Sequence, residues 1–347
     1  MYMLHANPFL HSRTPVPSAM PNSSAPSSPP HAGLSRRTWL CLAGTVLATA
    51  GCTAQNNRFQ GTFIQPWKSY ESLSLDDWRQ RLRTTRALGC DEIVLQWSAT
   101  EGGAYPWTLP ESLIALIFDE AAREGMSIRM GLPYDERWWT VLSSTDPQVL
   151  KDFFASTQKR CLDYAKTAPW SRRPSFRGWY LPYELDQYNW ATPERRALLV
   201  AWLQAIAAGT SLPQPLAVST FYSQLQTTGK LTTLWSDILD KVMLRPMLQD
   251  GVGVAGMGNY AGLEPLRGLL RQRKVPFDLI VELFEQLPAL EGTGGAFRAR
   301  AATAERVRAQ LEVARTYGAE RVIAFAIDPW MLGDTPEARK LLQDWQK

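Results

Sequence analysis

Phe277-Asp278-Leu279-Ile280-Val281-Glu282-Leu283-Phe284-Glu285 is a short apolar run that ends in carboxylates. Too short for a helix and rich in large aliphatic residues, it reads as a strand buried on both faces. Its period of two puts Ile280, Glu282 and Phe284 on one face and Val281, Leu283 and Glu285 on the other. A charge pressed against a helix layer is costly, so Glu282 is expected to face the other way, towards a mouth open to water. A second stretch, Phe176-Arg177-Gly178-Trp179-Tyr180-Leu181-Pro182-Tyr183-Glu184, has the same character and also ends in glutamate. Further segments of this kind lie at 62–67, 92–97, 127–133, 215–222, 241–248 and 321–328. Helical stretches fill the gaps, and strand–helix alternation at this spacing means right-handed βα units. Eight such units predict an α/β chain of (β/α)8 type, a TIM barrel, whose working residues sit where strands run into the following loops. The alternative is an open doubly wound sheet, and no Gly-rich phosphate loop follows the first segment to support it.

The helix boundaries carry their own chemistry. Asp146-Pro147, Thr192-Pro193 and Thr335-Pro336 each pair a capping side chain with proline at the first helical position. Ser74 and Asp77 have the spacing of a capping box. Gly89, Gly125, Gly209 and Gly318 are expected to close helices. Pro182 and Pro246 fall inside strand segments, where proline cannot donate to the ladder, and each predicts a bulge or an early strand end.

The first 51 residues read as something other than fold. The Ser/Pro-rich stretch 15–30 has little to bury, which predicts disorder. Arg36-Arg37 then leads into an apolar run ending Leu47-Ala48-Thr49-Ala50-Gly51-Cys52. Paired arginines before such a run resemble a twin-arginine export signal, and the small residues before Cys52 resemble a lipobox. The apolar run is too short to span a bilayer. The expected organisation is therefore a disordered region and lipoprotein signal at 1–51, a tether at 52–60, and one barrel at 61–347. Cys52 is the expected lipidation site, and an anchor there is the only membrane contact expected. The address would be a bacterial cell envelope, as a periplasmic or outer-membrane lipoprotein, with Thr53 after the cysteine favouring the outer membrane.

Cleavage before Cys52 would also remove every histidine, since these are His5, His11 and His31. Ser-His-Asp and Cys-His catalysis and His-ligated zinc are then excluded. Arg13, Arg36 and Arg37 precede Cys52 and no acidic residue does, so the mature charge is 34 − 33 = +1. That balance lacks the basic footprint of a nucleic-acid partner. The remaining Cys90 and Cys161 are expected to be buried thiols.

The predicted strand ends share a composition. They carry Gln65 and Trp67, Gln96 and Trp97, Tyr134 and Asp135 with Trp138 following, then Tyr183, Glu184, Asp186 and Asn189. Tyr222, Gln249 and Asp250, Glu282, and finally Asp328 and Trp330 complete the set. Indole faces suit the apolar faces of sugar rings, while carboxylates and amides bind hydroxyls. These residues are the expected carbohydrate-binding set, with the four aspartates as substrate-binding or proton-affinity-tuning candidates. Trp78, Trp202 and Trp345 fall within helices and are assigned to packing.

Glutamates ending the fourth and seventh strands resemble the 4/7 superfamily of retaining glycosidases, clan GH-A. The segments FIQPW, LQW, YLPYELD, LQDGVG and AIDPW are more closely similar to a bacterial family of glycosidase-like barrels catalogued as a domain of unknown function, over about 62–330. The resemblance implies that Glu184 is the acid/base and Glu282, in preference to Glu285, the nucleophile. It implies carboxyl groups about 5–5.5 Å apart, and neither metal nor organic cofactor. Where the clan carries an asparagine before the acid/base, this chain has Tyr183, and Asn189 is the nearest candidate to replace it. The competing reading is an inactive carbohydrate-binding lipoprotein serving exopolysaccharide assembly or secretion.

Overall fold

The structure, a computed structural model, describes residues 58–289 and 297–347. The export signal with Arg36 and Arg37, the lipidation site Cys52 and most of the tether lie outside the described residues. Eight strands close a barrel in chain order: β1 Gly61–Ile64, β2 Glu92–Leu95, β3 Ser127–Gly131, β4 Phe176–Leu185, β5 Ala217–Thr220, β6 Arg245–Gln249, β7 Asp278–Glu282 and β8 Arg321–Phe325. Every barrel pair is parallel, including β1 with β8, which removes both sheet edges. Among the described residues, antiparallel pairing is confined to excursions in the loops. One is a small sheet in which Ala99–Glu101 pairs Trp107–Thr108 antiparallel and Tyr134–Asp135 parallel. The other is the hairpin Phe284–Leu287 with Arg298–Ala301 after β7.

The proposed caps form. The Ser74 and Asp77 side chains and backbones exchange both bonds of a capping box at α1, Leu75–Ala87. Asp146 and Thr192 accept from backbone N–H groups at the starts of helices Pro147–Thr167 and Pro193–Thr210, and Thr335 does so at Pro336–Trp345. Gly89, Gly125 and Gly318 adopt the left-handed φ angles of 111°, 68° and 79° that follow helix ends. Gly209 corrects the expectation, because it lies inside its helix; a Cβ there would approach Leu162 Cδ2 to 2.6 Å. The β4 register shifts between Leu181 and Leu185, around Pro182, as its missing N–H requires. Pro246 makes no such bulge. It stands one residue before the first β6–β7 pair, Met247 with Asp278, so its missing donor falls outside that ladder. The sixth strand accordingly begins at Arg245, later than the expected 241.

The barrel interior is layered. At the N-terminal end Arg129 Nε donates to Glu92 Oε1 at 3.0 Å, with both side chains buried, and Arg245 pairs with Asp278. Phe63, Val94, Tyr180, Met247, Ile280 and Ile323 fill the middle. The glutamates stand above them. Outside, Leu279, Val281 and Leu283 pack with the helices, as the period of two demands. Cys90 and Cys161 are buried free thiols. Trp78 and Trp202 are buried and Trp345 stacks on Phe59 at 5.4 Å, all in packing roles. No helix among the described residues is long and apolar enough to cross a membrane.

Candidate active site

Glu184 and Glu282 line one cleft, open to solvent, at the C-terminal mouth. Glu184 stands two residues beyond Pro182, which lines the same cleft, so the bulge leaves it on the inner face. Gln249, ending β6, donates Nε2–H to Glu184 Oε1 at 2.8 Å and so orients the carboxyl. Burial raises the Glu184 carboxyl to about 6, against the pull of that amide bond.

Glu282 ends β7 and is 6% exposed, with Ile280 and Phe284 of the same face also in the cleft wall. The backbone N–H of Gly253 donates to Glu282 Oε2 at 2.8 Å. A Cβ on Gly253 would come within 2.9 Å of that oxygen and 2.4 Å of the Phe284 carbonyl, so only glycine fits. Behind Glu282 lies Asp250, fully buried, which accepts from Gln310 Nε2 at 2.6 Å, Tyr260 Oη at 3.1 Å, Val252 N at 3.1 Å and the Glu282 backbone N at 3.2 Å. Burial, then the Asp250 charge, pushes Glu282 up to about 8, while the Gly253 N–H pulls the other way. Burial also raises Asp250, to about 6, despite its donors. The glutamates therefore interact through a shared low-dielectric space, and Glu184 adds to the rise at Glu282. Both glutamates are thus raised by burial, and Glu282 has the Asp250 charge behind it as well. Glu285, the rival candidate, points into an exposed ion pair with Arg300 on the hairpin.

Of the expected binding residues, Gln65, Trp67, Gln96, Trp97, Tyr134, Tyr222 and Gln249 line the cleft. Trp67 meets Trp97 edge-on at 5.2 Å between ring centroids, and Trp97 stacks on Tyr134 at 6.2 Å.

The remaining expected residues do not line it. Tyr183 neighbours Glu184 in a strand, so it must face the helices, and it packs there against Trp138 and Trp202. Trp138 is fully buried in that aromatic cluster. Asp135 is held by Arg137 and Arg160. Asp186 accepts from Tyr188 N and from both Asn189 N and Nδ2, so Asn189 is spent on a loop cap and does not replace the missing asparagine. Asp250 is the hub behind Glu282 rather than part of the wall. Asp328 is paired with Arg81. Trp330 packs on Phe284 at 5.6 Å.

The structure adds wall residues that sequence reading passed over. Trp139 replaces Trp138, because one residue turns a helix by about 100°. Phe221, Gln224, Asn259, Phe297 and Phe325 also contribute. Phe221 belonged to a recognised strand end, and Phe284 and Ile280 were given by the alternation of β7. Gln224 and Phe297 lie outside regular elements and Asn259 ends the 3-10 turn Met257–Asn259, and no local pattern marks them.

A family model described as a domain of unknown function, DUF4434, matches residues 59–340, and the chain belongs to that family. Among curated proteins the chain is similar to the uncharacterized protein YbcH of Escherichia coli (strain K12). The two are 27% identical over 172 residues, covering 47% of this chain and 55% of the other, so the match spans about half the length of that relative. Among solved structures, a proposed alpha-L-fucosidase of Bacteroides thetaiotaomicron aligns with a TM-score of 0.61 and 16% identity, over 90% of this chain and 98% of that one. The spore cortex-lytic enzyme SleL of Bacillus cereus aligns at 0.52 and 11%, over 83% and 74%. At such identities the likeness is one of fold alone, the closed (β/α)8 barrel.

Proposed function

We propose that this member of the DUF4434 family is an envelope-exported glycoside hydrolase that cleaves an oligo- or polysaccharide with Glu184 and Glu282. The observation that carries the reading is the presence of both carboxyls in one aromatic-walled cleft at the mouth of the barrel. Glu184, protonated, gives its proton to the departing glycosidic oxygen. Glu282, ionised, attacks the anomeric carbon, the glycosidic C–O bond breaks, and a glycosyl-enzyme forms. Glu184 then takes a proton from water, whose oxygen displaces Glu282. Positive charge developing at the anomeric carbon favours the Glu282 anion as the bond breaks. No metal or organic cofactor enters these steps.

Glu282→Gln should abolish turnover and preserve binding, whereas Glu184→Gln should spare substrates with good leaving groups. Retained activity in Glu282→Gln on an activated aryl glycoside would remove Glu282 from the nucleophile's role. Carboxyls about 5–5.5 Å apart in a sugar complex are what retention requires, and about 6.5–9.5 Å would mean inversion.

Two observations favour a second reading, a carbohydrate-binding lipoprotein without turnover. Burial and the Asp250 charge oppose the ionisation that a nucleophile needs at Glu282, and the residue before Glu184 is Tyr183, turned to the helices, where the resembling clan carries an asparagine. Binding without hydrolysis by the unmodified protein selects that reading.

We further propose the division into signal 1–51, tether 52–60 and barrel 61–347, with lipidation at Cys52 and twin-arginine export. Mass spectrometry of membrane-extracted protein should find acylated Cys52 at the N-terminus, and an unmodified peptide running through Gly51-Cys52-Thr53 would refute it. Lysine at both Arg36 and Arg37 should block export.

A further inference from the structure

Three independent features of the cleft wall bear on the charge of what it takes. The charged side chains among the described wall residues are the two glutamates alone, whereas Gln65, Gln96, Gln224, Gln249 and Asn259 supply five carboxamides. Arginines on elements around the cleft are engaged by other groups. Arg306 donates Nη2–H to the carbonyls of Glu282 and Phe284 at 2.9 and 2.7 Å, Arg81 pairs with Asp328, and Arg137 and Arg160 hold Asp135. Finally, Gln96 is 8% exposed and its Oε1 has no hydrogen-bond partner among the described residues.

A buried carbonyl left without a donor is costly, and a functional site is where such a cost persists. Gln96 follows β2 directly, beside Gln65 after β1, with Trp67 and Trp97 next to them. A sugar ring lying on the Trp97 side of the cleft would bring a hydroxyl donor to that oxygen. A uronate, sulfate or phosphate in the same place would meet two carboxyls in a low-dielectric space with no cation among the described wall residues to offset them, which is unfavourable.

We infer that the cleft selects electrically neutral, hydroxyl-rich glycans and rejects acidic ones, and that the Gln96 carboxamide is a specificity-determining residue that accepts from a sugar hydroxyl. The inference rests on the glycan-binding part of the proposed function and is independent of turnover.

The test titrates the full chain carrying Glu282→Gln, which retains Glu184, at pH 7.5. The probes are neutral hexaoses of glucose, mannose, xylose and N-acetylglucosamine, set against hexaoses of galacturonate and mannuronate. At least one neutral probe should bind about ten-fold or more tighter than either acidic one. Adding Gln96→Leu should weaken that binding about ten-fold, the scale of one hydrogen bond. The same change should leave Tm unchanged or raise it, because it removes an unpaired buried carbonyl; a merely structural glutamine would give the opposite shift. Gln96→Met repeats the measurement with an unbranched side chain. Acidic probes binding as tightly as neutral ones, or full affinity in both Gln96 variants, would overturn the inference. Hydrolysis of an acidic hexaose by the unmodified chain would refute it while sustaining the hydrolase reading. Binding of neutral hexaoses without hydrolysis would sustain it and refute turnover.

Discussion

Glu282 pays for its position in proton affinity, and that has a sign that can be measured. Burial and Asp250 raise its carboxyl from the ordinary 4.5 to about 8 in the folded barrel. A folded-state value above the unfolded one means that the native protein binds the proton more tightly. The associated stability is fully present below about 4.5 and is lost as pH rises through about 8. Thermal unfolding of the unmodified protein should therefore weaken between pH 5 and 9, and Glu282→Gln should flatten that decline. The variant should be the more stable of the two at pH 8.5, and an unchanged slope would refute the account. Asp250 is a positioning residue by the same geometry, since it accepts from the Glu282 backbone and from the turn that presents Gly253. If the protein is a hydrolase, kcat/KM should be bell-shaped, with limbs near 6 and 8 that belong to the coupled carboxyls together. Asp250→Asn should move the alkaline limb to lower pH, because it removes the charge behind Glu282. Sequence reading reached Glu184, Glu282 and Gln249 because residue type and strand position suffice to nominate them. It misread Tyr183 and Trp138, although the alternation that put Glu282 inward also puts the neighbour of Glu184 outward.

Among the elements, the short helix Val252–Ala255 after β6 is the one whose sequence the site dictates most closely. Gly253→Ala would force a methyl between Glu282 and the Phe284 carbonyl. It should cost both stability and activity, with rearrangement at Glu282 visible in a crystal structure of the variant. An ordinary cap is a useful contrast. Thr192→Ala removes the acceptor for Arg195 N and should cost about 1 kcal/mol of stability without touching sugar binding. The caps were legible because each is a local pattern of two to four residues. Gly209 and Pro246 were misread because the same residues are tolerated wherever the surrounding geometry leaves their peculiarities unused.

For the whole molecule, closure of the sheet puts buried charges at one end of the barrel and buried carboxyls at the other. Arg129 and Glu92 are 3% and 1% exposed, with Arg177 and Arg321 also within 3.7 Å of Glu92 oxygens. Glu92→Leu would leave Arg129 buried beside two other guanidinium groups. It should destabilise by about 3–5 kcal/mol, the scale of breaking a buried pair from one side. Calorimetry checks this, and a change within about 0.5 kcal/mol would mean that the pair is dispensable. By itself the sequence determined the eight strands, most of the helix ends and the two glutamates at the mouth. Each of these follows from periodicity or local capping, which act over a few residues. Which aromatic and acidic side chains share the cleft was decided only by the tertiary structure. Strand closure brings β4, β6 and β7 to one mouth, and the segments that follow β5, β6 and β7 carry Gln224, Asn259 and Phe297 into the wall. Asp135, Asp186 and Asp328 found arginines or loop N–H groups first, because a buried carboxylate takes the nearest donors the fold provides, and no spacing in the chain reveals which those will be.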